Sequence, residues 1–212
     1  MTRFCLGLAV TVLVSSAAEF PAPATDIPTP AQKQIQTAVL AGGCFWGVEA
    51  VFEKLQGVSG VVSGFAGGSK NTAHYDEVSM GRTGHAESVQ ITYDASRISY
   101  GRLLQIYFSI AHDPTQLNRQ GPDQGPQYRS AIFYSTDEQK RVAEAYIQQL
   151  NQAKVFSRPI VTQVVPLAGF FPAENYHQHY IARNPNDPYV VYNDLPKLKR
   201  LRQLYPELIK GR

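Results

Sequence analysis

An ordered alternation of strand-like and helix-like segments limits the possible folds of this chain more than any other sequence feature. The strand-like run QTAVLAGG is followed, from Cys44, by apolar residues at the spacing of one helix face. Two strand-like runs come next, VSGVVSGFAGG and HAESVQITYD, and then the helical run SYGRLLQIYFSIAH, with Ser99 as its expected N-cap. This order predicts an α+β fold, a mixed β-sheet with packed helices close to the ferredoxin-like (split βαβ) two-layer plait.

The second half of the chain continues the alternation after a long loop. Residues 112–127 are dense in Asp, Asn, Pro and Gly, and long ordered loops commonly carry function. We expect a strand in QYRSAIFYS, a helix in TDEQKRVAEAYIQQLNQA capped by Thr136 or Asp137, and a strand in PIVTQVVPLA. A short helix is predicted in AENYHQHYIARNP, ending before Pro185.

The N-terminus has the pattern of a secretory signal peptide. MTRFCLGLAVTVLVSSAA contains Arg3, an apolar run and then small residues. Cleavage is expected after Ala18, with Ala24 as the alternative, which predicts a signal peptide at 1–18. The four prolines of EFPAPATDIPTPAQ predict an extended linker at 19–35. The remaining residues, 36–212, form one predicted domain of a secreted or periplasmic protein without an integral membrane segment after signal removal.

Signal cleavage changes the cysteine count. The chain contains two cysteines, and removal of Cys5 with the signal leaves Cys44 without an internal disulfide partner. A single cysteine is either a buried hydrophobic residue or a reactive thiol. Because Cys44 begins a predicted helix, the unpaired N–H groups and the helix dipole are expected to favour its thiolate.

Charge and motifs disfavour several other functions. The net charge is +3, and no Lys/Arg block is flanked by stacking aromatics, so nucleic-acid binding is not expected. His177 and His179 are two residues apart and would not share a helix face, so no metal site is predicted there. Signatures for flavin, nicotinamide and haem are absent from the sequence, and no bound cofactor is expected.

Five stretches in one order resemble a known family. They are GGCFWGVEAVF, VVSGFAGG, GHAESVQITYD, GPDQGPQYRSAIFY and FPAENYHQHYIARNP, and the match spans residues 37–208. They are similar to the A-type peptide methionine sulfoxide reductases. This resemblance implies thiol-dependent reduction of methionine S-sulfoxide, either as the free amino acid or in oxidised proteins, and repair of the latter.

The resemblance also implies roles for particular residues. Cys44 would be the nucleophile that attacks the sulfoxide sulfur, and Glu87 would be the acid that protonates the leaving oxygen. To hold a proton near neutral pH, Glu87 must lie in a desolvating pocket that raises its pKa. Tyr75 and Tyr128 match hydroxyl donors to the sulfoxide oxygen, and Asp123 matches a residue that orders the site.

Two aromatic residues complete the implied site, because Phe45 and Trp46 match the cage around the substrate methyl group.

Many relatives carry further cysteines near the C-terminus, and this chain has none there. We therefore expect a one-cysteine cycle, in which an external thiol, thioredoxin-like or glutathione-type, regenerates a Cys44 sulfenic acid. We also expect the protein to be a monomer.

Two other functions are compatible with a lone cysteine beside aromatic residues. A papain-like hydrolase would use Cys44 as nucleophile and one of five histidines as base. A periplasmic binding module would use Phe45, Trp46 and Tyr75 to stack on a ligand. The hydrolase would need no reductant, and the binding module would keep its function after Cys44→Ala.

Overall fold

A computed structural model describes residues 20–211 of the protein. The predicted signal peptide, 1–18, and Cys5 lie outside the described residues. Within them, no helix has the length and apolar character needed to cross a membrane.

A six-stranded sheet forms the centre of the described chain. Its strand order is β7-β6-β1-β3-β2-β8; the neighbouring pairs are antiparallel except β6 and β7, which are parallel. The order of the four inner strands, with α1 between β1 and β2 and α3 between β3 and β6, confirms the predicted split βαβ arrangement. A two-stranded hairpin, β4-β5, lies outside this sheet. The strands are β1 Ile35–Gly42, β2 Val58–Ala66, β3 Ala86–Asp94, β4 Arg119–Gln120, β5 Asp123–Gln124, β6 Ser130–Tyr134, β7 Gln163–Pro166 and β8 Phe170–Pro172.

Helices cover the sheet and enclose the main core. The α-helices are α1 Phe45–Glu53, α2 Tyr75–Val78, α3 Tyr100–Ile106, α4 Asp137–Gln152, α5 Tyr180–Arg183 and α6 Leu195–Leu204. The predicted caps are confirmed for α3 and α4, since Ser99 Oγ accepts from Arg102 N and Thr136 Oγ1 accepts from Gln139 N. A cluster of buried side chains, with members from the sheet, α1 and α3, fills the space between these layers.

The prediction of one helix in AENYHQHYIARNP is wrong. The segment forms a 3₁₀ turn, Asn175–His177, and the separate helix α5. Between them the Gln178 side chain pairs with both the N–H and the C=O of Ser63 on β2. His179 has a left-handed backbone, φ +53°, and donates its N–H to the carboxylate of Glu49. These tertiary hydrogen bonds interrupt the helix.

Two other segments differ locally from the predictions. The loop at 112–127 contains the short β4-β5 hairpin. The strand expected in QYRSAIFYS begins only at Ser130, because Pro126–Tyr128 form a 3₁₀ turn.

Residues 20–34, which we call the N-terminal strap, contain no helix or strand and are packed on the domain. The side chains of Gln105 and Tyr146 donate to the carbonyls of Phe20 and Pro21, at 2.8 and 2.5 Å. Asp26 Oδ1 accepts from Gly101 N, in the first turn of α3, at 2.7 Å. The strap therefore contributes to the fold of the domain.

Candidate active site

The site begins at the turn between β1 and α1. Gly43 has φ +89°, and a Cβ there would lie 2.5 Å from the side chain of Gln120, so the tight turn and the close approach both require glycine. This turn makes Cys44 the N-cap residue of α1. The next N–H, that of Phe45, donates to Glu87 Oε2 at 3.1 Å. One helix start thus places the thiol and the carboxyl side by side.

A cavity of about 300 Å³ opens over this helix start. All seven residues proposed from the sequence line it, although they come from distant parts of the chain. Two further lining residues, Asp187 and Tyr189, were not predicted. The lining residues are Cys44, Phe45, Trp46, Tyr75, Glu87, Asp123, Tyr128, Asp187 and Tyr189.

Glu87 is held in the environment that its proposed role requires. It lies on β3 and is 2% exposed. Burial raises its pKa to about 8, the nearby negative charge of Asp123 acts in the same direction, and the Phe45 N–H opposes both. Glu87 therefore carries its proton at neutral pH and can donate it.

Cys44 differs from the sequence-based expectation of a thiolate. The residue is 8% exposed, and burial, followed by the charges of Glu87 and Asp194, raises the pKa of the thiol well above its ordinary value. The N–H of Trp46 and the ammonium of Lys197 lower it. The helix start does favour the thiolate, but desolvation outweighs it, so the resting sulfur is protonated.

Two phenols face the same cavity. Burial raises the pKa of Tyr75 to about 12 and raises that of Tyr128 further. Both hydroxyls therefore stay protonated and can donate hydrogen bonds to an oxygen atom in the cavity. The backbone of Tyr75 is fixed by its N–H, which donates to Glu174 Oε1 at 3.0 Å.

The aromatic side of the cavity is held by the AENYHQHYIARNP segment. Trp46 stacks on Tyr180, with ring centroids 3.7 Å apart and an interplanar angle of 7°. Its Nε1 donates to His177 Nδ1 at 3.2 Å. Phe45 is buried, and its ring centroid lies 5.0 Å from that of His177. The two aromatic rings therefore have fixed orientations beside the thiol.

The residues that the sequence reasoning missed come from NDPY, residues 186–189, directly after the last matched stretch. Tyr189 donates its hydroxyl proton to Asp123 Oδ2 at 2.5 Å. Asp187 Oδ1 accepts from Tyr189 N, and its Oδ2 accepts from the Tyr180 hydroxyl. An aromatic residue so close to a matched motif was a usable signal for Tyr189, whereas nothing local distinguishes Asp187 from a turn aspartate.

Potential metal ligands converge elsewhere. Among residues 20–211, three side chains are close enough together to hold a metal ion: those of Glu49, Glu53 and His179. Their ligand atoms lie within 4.8 Å of one another. His179 Nδ1 already pairs with Glu53 Oε1 at 2.5 Å. His177 is not part of this group, and its Nδ1 accepts from Trp46 Nε1. This group does not line the site cavity.

Comparisons with a family model, with curated proteins and with solved structures all find relatives of the same description. The family model described as peptide methionine sulfoxide reductase matches residues 36–208. Peptide methionine sulfoxide reductase MsrA 2 of Mesorhizobium japonicum is 59% identical over 173 residues, covering 82% of this chain and 89% of the relative. The protein of the same description from Synechocystis sp. is 50% identical, covering 97% and 99%. The structure of methionine sulfoxide reductase A of Corynebacterium diphtheriae has a TM-score of 0.64 and 36% identity, covering 73% of this chain and 77% of that one.

Proposed function

Because this chain belongs to the peptide methionine sulfoxide reductase family and is an enzyme that reduces methionine sulfoxide, we propose that Cys44 is its nucleophile and Glu87 its proton donor. One observation carries this assignment. The thiol and the buried, protonated carboxyl lie at one helix start, in a single cavity with two phenols and two aromatic rings. The substrate is the S-epimer, free or in oxidised proteins.

The first half of the reaction transfers oxygen to Cys44. The sulfur of Cys44 attacks the sulfoxide sulfur as Glu87 gives its proton to the sulfoxide oxygen, and the proton of the thiol returns to Glu87. The S–O bond of the substrate breaks and an S–O bond forms at Cys44, leaving a sulfenic acid. Methionine sulfur gains two electrons and Cys44 loses two, so a thiol and a sulfoxide become a sulfenic acid and a thioether without an external proton.

The rest of the cavity holds the sulfoxide for this transfer. The hydroxyls of Tyr75 and Tyr128 donate to the oxygen without adding charge, and they leave Glu87 its proton. Phe45 and Trp46 surround the methyl group, which excludes water from the reacting sulfur.

The second half requires reductant from outside the chain. Among the described residues Cys44 is the one free cysteine, and Cys5 leaves with the signal peptide in this proposal. A first external thiol attacks the sulfenic acid, which releases water and forms a mixed disulfide, and a second thiol releases Cys44 as an oxidised disulfide forms. The donor is a thioredoxin-like protein or a glutathione-type thiol in the secreted or periplasmic compartment.

The competing functions fit the cavity less well. None of the residues lining it is a histidine, although all five histidines of the chain lie in the described part. A papain-like hydrolase would have no base beside Cys44. A binding module would not need a carboxyl group kept protonated by burial at the same helix start.

The test is a reductant-dependent assay with the separate S- and R-epimers of methionine sulfoxide. Wild-type protein should reduce the S-epimer with dithiothreitol as the thiol, and Cys44→Ser should abolish turnover. Glu87→Gln should lower turnover by about a hundredfold or more, the effect of losing a general acid. Wild-type turnover by Glu87→Gln, with Glu144→Gln as the exposed control, would contradict the role of Glu87.

A further inference from the structure

The C-terminal segment places an ion pair behind the active-site helix. A π-helical turn, Val190–Asp194, leads into α6. Asp194 is fully buried, and its Oδ1 lies 3.1 Å from Lys197 Nζ. The other carboxylate oxygen, Oδ2, is buried without a hydrogen-bond partner in the described part of the chain. A buried carboxylate with one unpartnered oxygen is costly, so its presence here calls for an explanation.

This pair contacts the first turn of α1. Gly47 is the third residue of that helix, and a Cβ there would collide with Asp194 Oδ1 and lie 2.8 Å from Lys197 Nζ. Residues three apart share a helix face, so Gly47 lies on the same side of the turn as Cys44. Both charges of the pair are therefore within electrostatic range of the thiol.

We propose that the Asp194–Lys197 pair positions charge beside Cys44 and sets the balance between its thiol and its thiolate. The Lys197 ammonium favours the anionic sulfur, and Asp194 opposes it while holding the ammonium against α1. The inference rests on the proposed nucleophilic role of Cys44 and adds two residues that do not line the cavity.

The other groups near Cys44 are consistent with this assignment. Glu87 on β3 and Asp194 act to raise the thiol pKa, and Lys197 acts to lower it. Asp123 on β5 lines the cavity. Burial raises its pKa, and the positive charge of Lys197 opposes this rise. Asp187 also lines the cavity, whereas Tyr75, Tyr128, Tyr180 and Tyr189 keep neutral hydroxyls because their pKa values are raised.

The two halves of the pair should have opposite effects when removed. Lys197→Met leaves Asp194 beside the sulfur without its cation, so Cys44 should ionise at higher pH. Asp194→Asn leaves the ammonium without its carboxylate, so Cys44 should ionise at lower pH. The double variant should return towards wild type. A purely structural role would instead loosen α1 and expose Cys44 in both single variants.

The experiment measures the rate of iodoacetamide alkylation at Cys44 across a pH series, with the Cys44 peptide quantified by mass spectrometry so that Cys5 does not contribute. At about pH 7.5 we expect a change of about threefold or more, down for Lys197→Met and up for Asp194→Asn. Lys197→Arg should restore the wild-type profile, and Lys199→Met, exposed on the same helix, should not change it.

Unchanged profiles in both single variants, or shifts in the same direction together with a lower Tm, would overturn the proposal. Alkylation uses no sulfoxide, so this result does not depend on turnover. The sulfoxide assay could fail while the alkylation profiles of Lys197→Met and Asp194→Asn still shift in opposite directions. That result would contradict the proposed function and leave the effect of the ion pair on Cys44 in place.

Discussion

At the scale of single residues, the site depends on burial of groups that would otherwise ionise. Glu87 is 2% exposed and keeps its proton, whereas a surface glutamate would lose it at neutral pH. The residue types of the site could be predicted from the sequence, since six of the seven lie in the matched stretches and Tyr75 lies between two of them. The state of Cys44 could not, because its pKa depends on desolvation and on Asp194, which lies 150 positions further along the chain.

The raised pKa of Glu87 predicts how stability changes with pH. The folded state holds this proton up to about pH 8, whereas the unfolded chain releases it near its ordinary pKa of 4.5. The folded state therefore binds more protons in between, and the Glu87 contribution is full at low pH and is lost as pH rises through about 8. Glu87→Gln, which cannot ionise, should match wild type near pH 5 and exceed its free energy of unfolding near pH 9 by a few kcal/mol, on the order of 2–4.

Denaturant unfolding of both proteins at several pH values measures this difference. Glu49, whose burial raises its pKa to about 7, is present in both and cancels. Glu144→Gln, at an exposed position, is the control and should follow wild type throughout. A constant difference between Glu87→Gln and wild type from about pH 5 to about pH 9 would show that Glu87 is not held protonated by the fold.

At the scale of elements, a helix start or break could be predicted from the sequence where local interactions set the backbone, and could not be predicted where tertiary interactions set it. The starts of α3 and α4 were predictable because their caps, Ser99 and Thr136, act within one turn. The break at Gln178 and His179 was not, because their partners are on β2 and α1. The helix α1 combines both cases, since its start is set by local glycines and its position by the C-terminal segment.

Gly47 in α1 tests the packing of this element. Gly→Ala in a helix interior normally increases stability by about 0.5–1 kcal/mol. At Gly47 the added methyl group would collide with the buried Asp194 carboxylate, so Gly47→Ala should lower the free energy of unfolding by about 1–3 kcal/mol. Gly60→Ala, where a Cβ meets no atom within 4 Å, controls for the added methyl group. Chemical denaturation measures whether the free energy of unfolding falls or rises. A Gly47→Ala protein more stable than wild type would show that the C-terminal segment is not in close contact with Gly47 of α1.

At the scale of the whole molecule, the order of strands and helices predicted the sheet, but the role of the strap could not be inferred. Its prolines predict an extended chain, and residues 20–34 contain no helix or strand. Composition does not reveal that Phe20 packs on Phe156, with ring centroids 6.0 Å apart, or that α4 binds strap carbonyls. These contacts join segments more than a hundred residues apart.

Removal of the strap should therefore weaken the fold without changing the chemistry. A chain that begins at Gln34 should have a lower Tm than one that begins at Phe20, because it loses the hydrogen bonds to Tyr146, Gln149 and Gly101. Turnover at a temperature where both are folded should be equal, since no strap residue lines the site cavity. Equal Tm values in a thermal scan would contradict the structural role of the strap.

The central claim, a one-cysteine cycle at Cys44, is tested most directly by a single turnover without reductant. Protein produced from the full-length sequence and mixed with excess methionine S-sulfoxide should release one methionine per chain, and dimedone should then label Cys44 as a sulfenic acid. Cys44→Ser should release none. Two methionines per chain, or an intrachain disulfide between Cys44 and Cys5 in place of the dimedone adduct, would contradict the one-cysteine cycle.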